Sequence, residues 1–174
     1  MIDELLVVRA QLGERAALAE LVHRWRVPVW TYARRMLDAE RADDVAQEIW
    51  LAVIRGLPRL REPGRFRPWL FTIARRSVAE RLRGEYAEAE AHAGAEPPVA
   101  EDLAGAVVER ADLMAVLAGL PVLEREIVVL FYLEDLTVQD CAQVCGIPVG
   151  TVKSRLSRAR RLLRELLTEK GHRS

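Results

Sequence analysis

The sequence predicts an all-α fold: two small helical domains joined by a flexible acidic linker, the C-terminal domain a helix-turn-helix. Three observations carry this prediction. Ala, Leu, Arg and Glu, all good helix formers, dominate the composition, and apolar residues recur at three- and four-residue spacing. Charge is segregated: residues 1–83 hold 16 Lys/Arg and 11 Asp/Glu, residues 84–106 none and six, and residues 107–174 ten and nine. The net charge of zero therefore hides local basic surfaces and an acidic connector. Third, Thr137 to Arg164 holds every part of a helix-turn-helix in order. The expected domains are residues 1–84 and 107–174, with 85–106 as the linker.

From the N-terminal side, Ala16, Leu18, Ala19, Leu21 and Val22 lie at helical spacing between Gly13 and Trp25. Pro28 is expected to break or kink that helix, and Val29 to Leu37 to continue as a second piece. His23, alone among arginines, reads as an ordinary boundary residue. The next helix, ERADDVAQEIWLAVIRGL, gathers acids in its first turns, where the helix dipole favours them. Val45, Ile49, Ala52 and Val53 are its expected buried side, with Asp43, Asp44, Gln47 and Glu48 around a polar face. Arg55 to Arg83 then holds nine arginines and two acids, interleaved with Phe66, Trp69 and Phe71. Pro63-Gly64 marks a loop, and Phe66 onward reads as a helix packed through Leu70, Ile73 and Ala74. Arginines among aromatic rings suit single-stranded nucleic acid, cations following the backbone while rings receive unstacked bases. The other reading, that Trp69 and Phe71 are core anchors, stays open.

Gly84 to Gly105 is Ala/Glu-rich, broken by Gly94 and Pro97-Pro98, and has few large apolar residues, so no core of its own is expected. Val107 to Leu120 reads as a helix, Pro121 interrupts, and Glu124 to Leu133 forms another with Ile127, Leu130 and Phe131 inward. Thr137 with Asp140 caps the helix that follows. Cys141, Val144 and Cys145 make its apolar stripe, and Gly146 supplies the tight turn. Pro148 suits the first turn of the last helix. There, Val149, Val152, Leu156, Ala159, Leu163 and Leu166 are apolar, while Lys153, Ser154, Ser157, Arg158 and Arg161 fall mainly on the other side. Six Lys/Arg and no acid between Lys153 and Arg164 suit the DNA major groove.

Several classes are excluded at this level. No run of about 18 apolar residues occurs, so no membrane insertion is expected. MIDELLVVRAQLGERA lacks the basic start and apolar core of a signal peptide, which points to a cytoplasmic protein. Two cysteines four apart on one helix cannot form an ordinary disulfide, and CxxxC without nearby histidines is a poor zinc pattern. Free buried thiols are expected, with no metal and no cofactor. Asp44 and Glu48, beside Asp43, have the spacing of a carboxylate pair, but nothing supplies the pocket or further ligands of an enzyme site.

Taken together, RADDVAQEIWLAV, FRPWLFTIAR and LPVLEREIVVLFYLEDL followed by GTVKSRLSRARRLLR resemble an extracytoplasmic-function (ECF, group IV) sigma factor of the sigma-70 superfamily. That family is the minimal two-domain bacterial transcription-initiation subunit, and the resemblance spans nearly the whole chain. It implies a non-catalytic promoter-specificity subunit, monomeric when free, whose partners are core RNA polymerase, promoter DNA and an anti-sigma factor. The C-terminal domain would read the −35 element as duplex through Lys153, Ser154, Ser157 and Arg158, with Thr151, Arg155 and Arg161 in support. The N-terminal domain would bind the −10 element as it opens. There the loop from Arg59 to Phe66, including Arg61 and Arg65, would trap a flipped base, and Arg67, Trp69, Arg75 and Arg76 would follow the strand. Asp43, Asp44, Gln47, Glu48 and Leu51 would bind the clamp helices of the polymerase's largest subunit. Arg76 stands where the family usually has Asn, Glu80 where Asp is common, and CAQVCG replaces the more usual EIAxxLG.

Two other readings compete. A dimeric helix-turn-helix regulator would need a self-association face and leaves the arginine-aromatic stretch unexplained. A carboxylate enzyme at Asp43, Asp44 and Glu48 would need bound metal. The charge map also predicts weak promoter binding by the free protein, because an acidic linker can lie against basic helices until polymerase separates the domains. An equilibrium binding titration on promoter duplex checks this; tight, sequence-selective binding without polymerase contradicts it.

Overall fold

The computed structural model describes the backbone of residues 2–92 and 110–171 and the side chains of residues 2–92 and 113–168. Among the described residues, secondary structure is helical, with no strand. The chain divides into two compact units, and the cut falls between Arg81 and Leu82.

The first unit contains α1 (Ile2–Gln11), α2 (Arg15–Met36), α3 (Ala39–Gly56) and α4 (Phe66–Arg81). Two short 3-10 turns, Leu57–Arg59 and Pro63–Arg65, lie between α3 and α4. α2 packs against α1, α3 and α4, and one stripe on each helix builds the core. On α3 that stripe is Ala42, Val45, Ile49 and Val53, at the three- and four-residue steps of a helix. Tyr32 and Phe71 meet edge to face at 5.5 Å in the same core. Asp38 caps α3 by accepting from the Arg41 backbone N–H (2.9 Å) and its guanidinium (2.6 Å). Those two bonds, the backbone one first, hold its carboxyl below the usual aspartate value.

The helix α1 had no counterpart in the sequence reading, which began at Gly13. Leu6 and Val7 bury it, and an ion pair from Asp3 to Arg24 (2.9 Å) ties it to α2. Pro28 does not divide α2, which runs unbroken past it. Leu21 before the proline and Val29, Tyr32, Ala33 and Met36 after it are all buried. That packing keeps both halves aligned against a local penalty of about 3 kcal/mol. Ala52, expected inside, is exposed, as are Ala16 and Ala19; the buried positions are Val53 and Ala17, each one residue away or less than a turn round.

The second unit contains α5 (Arg83–Ala91), α6 (Arg110–Ala118), α7 (Val122–Val128), α8 (Val138–Cys145) and α9 (Val149–Gly171). Residues 85–91 belong to the stretch expected as linker, yet they lie in this helix. Ala and Glu have high helix propensity, and Tyr86 gives α5 one buried anchor. The Tyr86 hydroxyl donates to Glu126 Oε1 on α7 at 2.7 Å. Residues 93–106, the rest of the expected linker, lie outside the described residues, as does the start of the helix expected from Val107. Pro121 interrupts as expected, and Arg125 Nη2 donates to the Leu120 carbonyl (3.1 Å) to close the end of α6. Val129–Leu133 widens into a π turn, leaving Phe131 half-buried where an inward side chain was expected. Leu117, Leu120, Ile127 and Leu130 fill the centre of this unit.

The helix-turn-helix joint follows its sequence signals closely. Thr137 Oγ1 accepts from the Asp140 N–H at 3.1 Å, so α8 starts on a side-chain cap. Gly146 takes φ +64°, and the Ile147 N–H returns to the Ala142 carbonyl at 3.1 Å, the six-to-one bond of a Schellman end. The Pro148 carbonyl then accepts from Thr151 and Val152 as α9 begins.

Two predictions follow from packing in the second unit. Glu124 is 3% exposed and its Oε1 lies 3.5 Å from Arg158 Nε on α9. Arg158→Ala is expected to cost about 1–3 kcal/mol by leaving that carboxylate without its cation, and Glu124→Gln in the same chain should recover part of it. Urea unfolding of the two single variants and the double variant measures the coupling; strict additivity contradicts it. Cys141 is fully buried, and burial, with Asp140 and Glu126 adding, pushes its thiol up to about 12. Below about pH 8.5 the thiol is protonated folded or unfolded. As pH rises toward 12, the unfolded chain releases its proton first, so stability falls by up to about 1.4 kcal/mol per pH unit from this group. At pH 8 a thiol reagent should leave native Cys141 untouched and label it in denaturant; labelling of the native protein contradicts this assignment.

Candidate functional site

Three surfaces hold the side chains singled out in the sequence. The first is on α9. Val152, Leu156 and Ala159 are buried, so the helical period turns Lys153, Ser157 and Arg161 away from the core. Lys153 and Arg161 are exposed, and Thr151, Ser154, Arg155, Ser157 and Arg158 are half-buried. Ser154 Oγ donates to the Thr151 carbonyl at 3.0 Å, the local bond by which a serine sits within a helix. Arg158 differs from its neighbours: its side chain is 38% exposed and its Nε faces the buried Glu124. It anchors α9 to α7 as well as presenting charge. The face as a whole is a cationic ridge with hydroxyls interspersed, the chemistry that meets phosphates and base edges.

The second surface is the loop between α3 and α4 with α4 as far as Arg76. Arg61 and Arg76 are exposed, and Arg65, Arg67, Trp69 and Arg75 are half-buried. Phe66 is placed differently from the expectation. It is 1% exposed and packs edge-on to Trp25 at 6.0 Å, so it shapes the loop from within and offers no face to a base. Trp69 lies 5.9 Å from Phe66 and rests on the end of α3, where a Cβ at Gly56 would stand 3.0 Å from its ring. Glycine there permits the close approach. The Arg67 guanidinium stacks over the Trp25 ring at 5.7 Å, a cation–π contact that steadies the cation. Trp25, which in the sequence marks only the end of an amphipathic stretch, therefore organises this surface from α2.

The loop itself is braced by α1. Gln11 Nε2 donates to the carbonyls of Leu57 (2.9 Å) and Leu60 (2.8 Å).

The third surface is an apolar groove of about 510 Å³ between α2 and α3. Val22, Arg26 and Trp30 line it from α2, and Ala46, Gln47, Trp50, Leu51 and Ile54 from α3. Trp30, Leu51 and Ile54 are 41%, 54% and 44% exposed, large apolar side chains left open to solvent. Gln47 and Leu51 were singled out in the sequence and line the groove; Asp43, Asp44 and Glu48 are exposed on the same helix. Asp43 Oδ1 accepts from the Trp30 indole at 2.6 Å, and Glu48 pairs with Arg81. Trp30 and Trp50 went unremarked in the sequence, although Val22, Arg26 and Trp30 at i, i+4 and i+8 make a second stripe on α2. Asp43 and Glu48 thus hold different partners and do not face one another as an acid–base pair. Among the described residues no three His, Cys, Asp or Glu side chains form a metal-holding group, and no helix is long and apolar enough to cross a membrane.

Comparison with known proteins finds matches in both halves of the chain. The family model for sigma-70 region 2 matches residues 21–87, and that for sigma-70 region 4 matches residues 110–163. The chain is 33% identical over 158 residues to the ECF RNA polymerase sigma factor SigC of Mycobacterium tuberculosis, covering 89% of this chain and 85% of that one. It is 34% identical over 183 residues to SigD of the same species, covering 95% and 84%. Among solved structures, CnrH in complex with the cytosolic domain of CnrY superposes with a TM-score of 0.72 at 26% identity, over 97% of this chain and 99% of that one. The sigma factor RpoE of Bartonella quintana, solved with the anti-sigma factor NepR, shares the fold with a TM-score of 0.69 at 23% identity, over 87% and 96%. Both halves of the chain, in order and nearly end to end, thus carry one family's signature: it belongs to the ECF RNA polymerase sigma factors, subunits that recognise promoters in transcription initiation.

Proposed function

We propose a division of promoter recognition among the three surfaces. The outer face of α9 reads the −35 element as duplex, with Lys153, Ser154, Ser157 and Arg158 at bases and backbone and Thr151, Arg155 and Arg161 beside them. The loop between α3 and α4 takes the −10 element as it opens, through Arg61, Arg65, Arg67, Trp69, Arg75 and Arg76. Phe66 acts from inside the loop and is not a base contact. Opening is driven by preferential binding of the unpaired strand, each captured base contributing about 1–3 kcal/mol by stacking. The groove of Trp30, Leu51 and Ile54, rimmed by Asp43, Asp44, Gln47 and Glu48, takes helices of core RNA polymerase. The chain performs no bond chemistry itself; the polymerase does.

The observation that carries this reading is the outward ridge of α9, set directly opposite its buried stripe and launched from a glycine turn. Acting in the cytoplasm as a monomer, the free protein would also be held by an anti-sigma factor. The related CnrH and RpoE structures, each solved with such a partner or its cytosolic domain, support that part.

Transcription in vitro with purified core polymerase on a randomised promoter library tests the whole. The wild-type chain should select two separated elements. Leu51→Arg, an exposed substitution, should reduce output about 10- to 100-fold, the scale of an interface hot spot, and leave the preferred sequences unchanged. Unselective transcription, or full activity of the Leu51→Arg protein, contradicts it.

A further inference from the structure

We propose that Gln11 is a positioning residue for promoter selectivity, acting through the loop of residues 57–65; the inference rests on the reading of that loop as the −10 recognition element. The loop has little to hold its shape. Leu60 N to Leu57 O (3.1 Å) closes the first 3-10 turn, and Arg65 N to Glu62 O (2.8 Å) with Phe66 N to Pro63 O closes the second. Pro58, Arg59, Arg61, Glu62 and Gly64 are all exposed, and Leu57 alone of residues 57–65 is buried, so packing holds the loop mainly at its start.

Gln11 supplies the missing restraint. Its single NH₂ group bridges the carbonyls of Leu57 and Leu60, the two ends of the first turn. Both acceptors are carbonyl oxygens, so the amide can face them only with its nitrogen; the flipped amide would set oxygen against oxygen. A second touch comes from seven residues earlier on α1, two helical turns and about 10 Å along the axis. There the Glu4 carboxylate lies 3.7 Å from where a Cβ of Gly64 would be. Helix α1 thus spans the loop, from its first turn to its second, and it is fixed in turn by buried Leu6 and Val7 and by the Asp3–Arg24 pair. The region 2 family match begins at residue 21, so Gln11 lies before the residues that it matches.

The restraint acts on discrimination. A base-trapping loop selects among bases only while its backbone and arginines hold one arrangement, and two hydrogen bonds to a turn otherwise closed by one change that arrangement's population directly. A residue that merely stabilised the unit would weaken all promoters alike.

The test uses full-length protein assembled with core polymerase and fork-junction DNA whose unpaired −10 bases are varied one at a time. Gln11→Met keeps length and removes both donors; Gln11→Glu sets an anion against two carbonyls; Gln11→Lys restores donors. The Met and Glu variants should lose about 5- to 10-fold discrimination at one or two unpaired positions, with −35 selectivity, polymerase affinity and melting temperature held. Gln11→Lys should recover it. Wild-type discrimination in the Met and Glu variants, or a uniform loss that Gln11→Lys does not relieve, overturns the proposal. Arg61→Ala separates the two levels. If it loses discrimination while Gln11→Met does not, the brace fails alone; if wild-type holoenzyme ignores every unpaired base, the reading of the loop fails with it.

Discussion

A helix of 3.6 residues per turn has room for one buried stripe, and everything else in this chain follows from where that stripe falls. On α3, burial of Ala42, Val45, Ile49 and Val53 turns Gln47, Leu51 and Ile54 outward. On α9, burial of Val152, Leu156 and Ala159 does the same for Lys153, Ser157 and Arg161. Each unit is too small to wrap its helices on every side, so the outer half of each is free to differ in chemistry. One presents apolar side chains with acids, the other cations with hydroxyls. Function here is a property of the unburied half.

Polar groups complete what the stripes begin. A few carboxylates are buried in the second unit, and Glu124 and Glu126 meet a cation or a hydroxyl. Glu126 joins α5 to α7 through Tyr86, and Glu124 joins α7 to α9 through Arg158. A buried carboxylate without such a partner would cost several kcal/mol, so these pairs constrain which helices lie together more than they add stability. In the first unit uncharged donors share this work with the Asp3–Arg24 and Glu48–Arg81 pairs, the Gln11 amide on a loop and the Trp30 indole on Asp43.

What the sequence disclosed, and what it withheld, divides along the range of the interactions. Local signals were legible: Thr137 and Gly146 announce helix ends, because a cap or a positive φ is decided within a few residues. The face of α9 was legible too, since its period is unbroken. Pro28 misled because its local preference was weighed without the buried residues on either side. Phe66 misled because an aromatic among arginines has the same composition whether it faces solvent or the core; only Trp25, some forty residues away, decides it. Residues 85–91 misled because one tyrosine, with a partner forty positions on, turned a polar stretch into a packed helix. Gln11 left no trace in the pattern at all, for its acceptors are backbone carbonyls 46 and 49 residues distant.

The central claim is that two outward faces of one chain meet the same promoter in different states, paired at one and unpaired at the other. Site-specific photo-cross-linking in the assembled holoenzyme addresses it most directly, with a benzoylphenylalanine placed at position 157 or at position 61. Position 157 should cross-link to upstream duplex and position 61 to the unpaired strand of the downstream element. Cross-links from position 157 to the unpaired strand, or none to DNA from either position, would contradict the account.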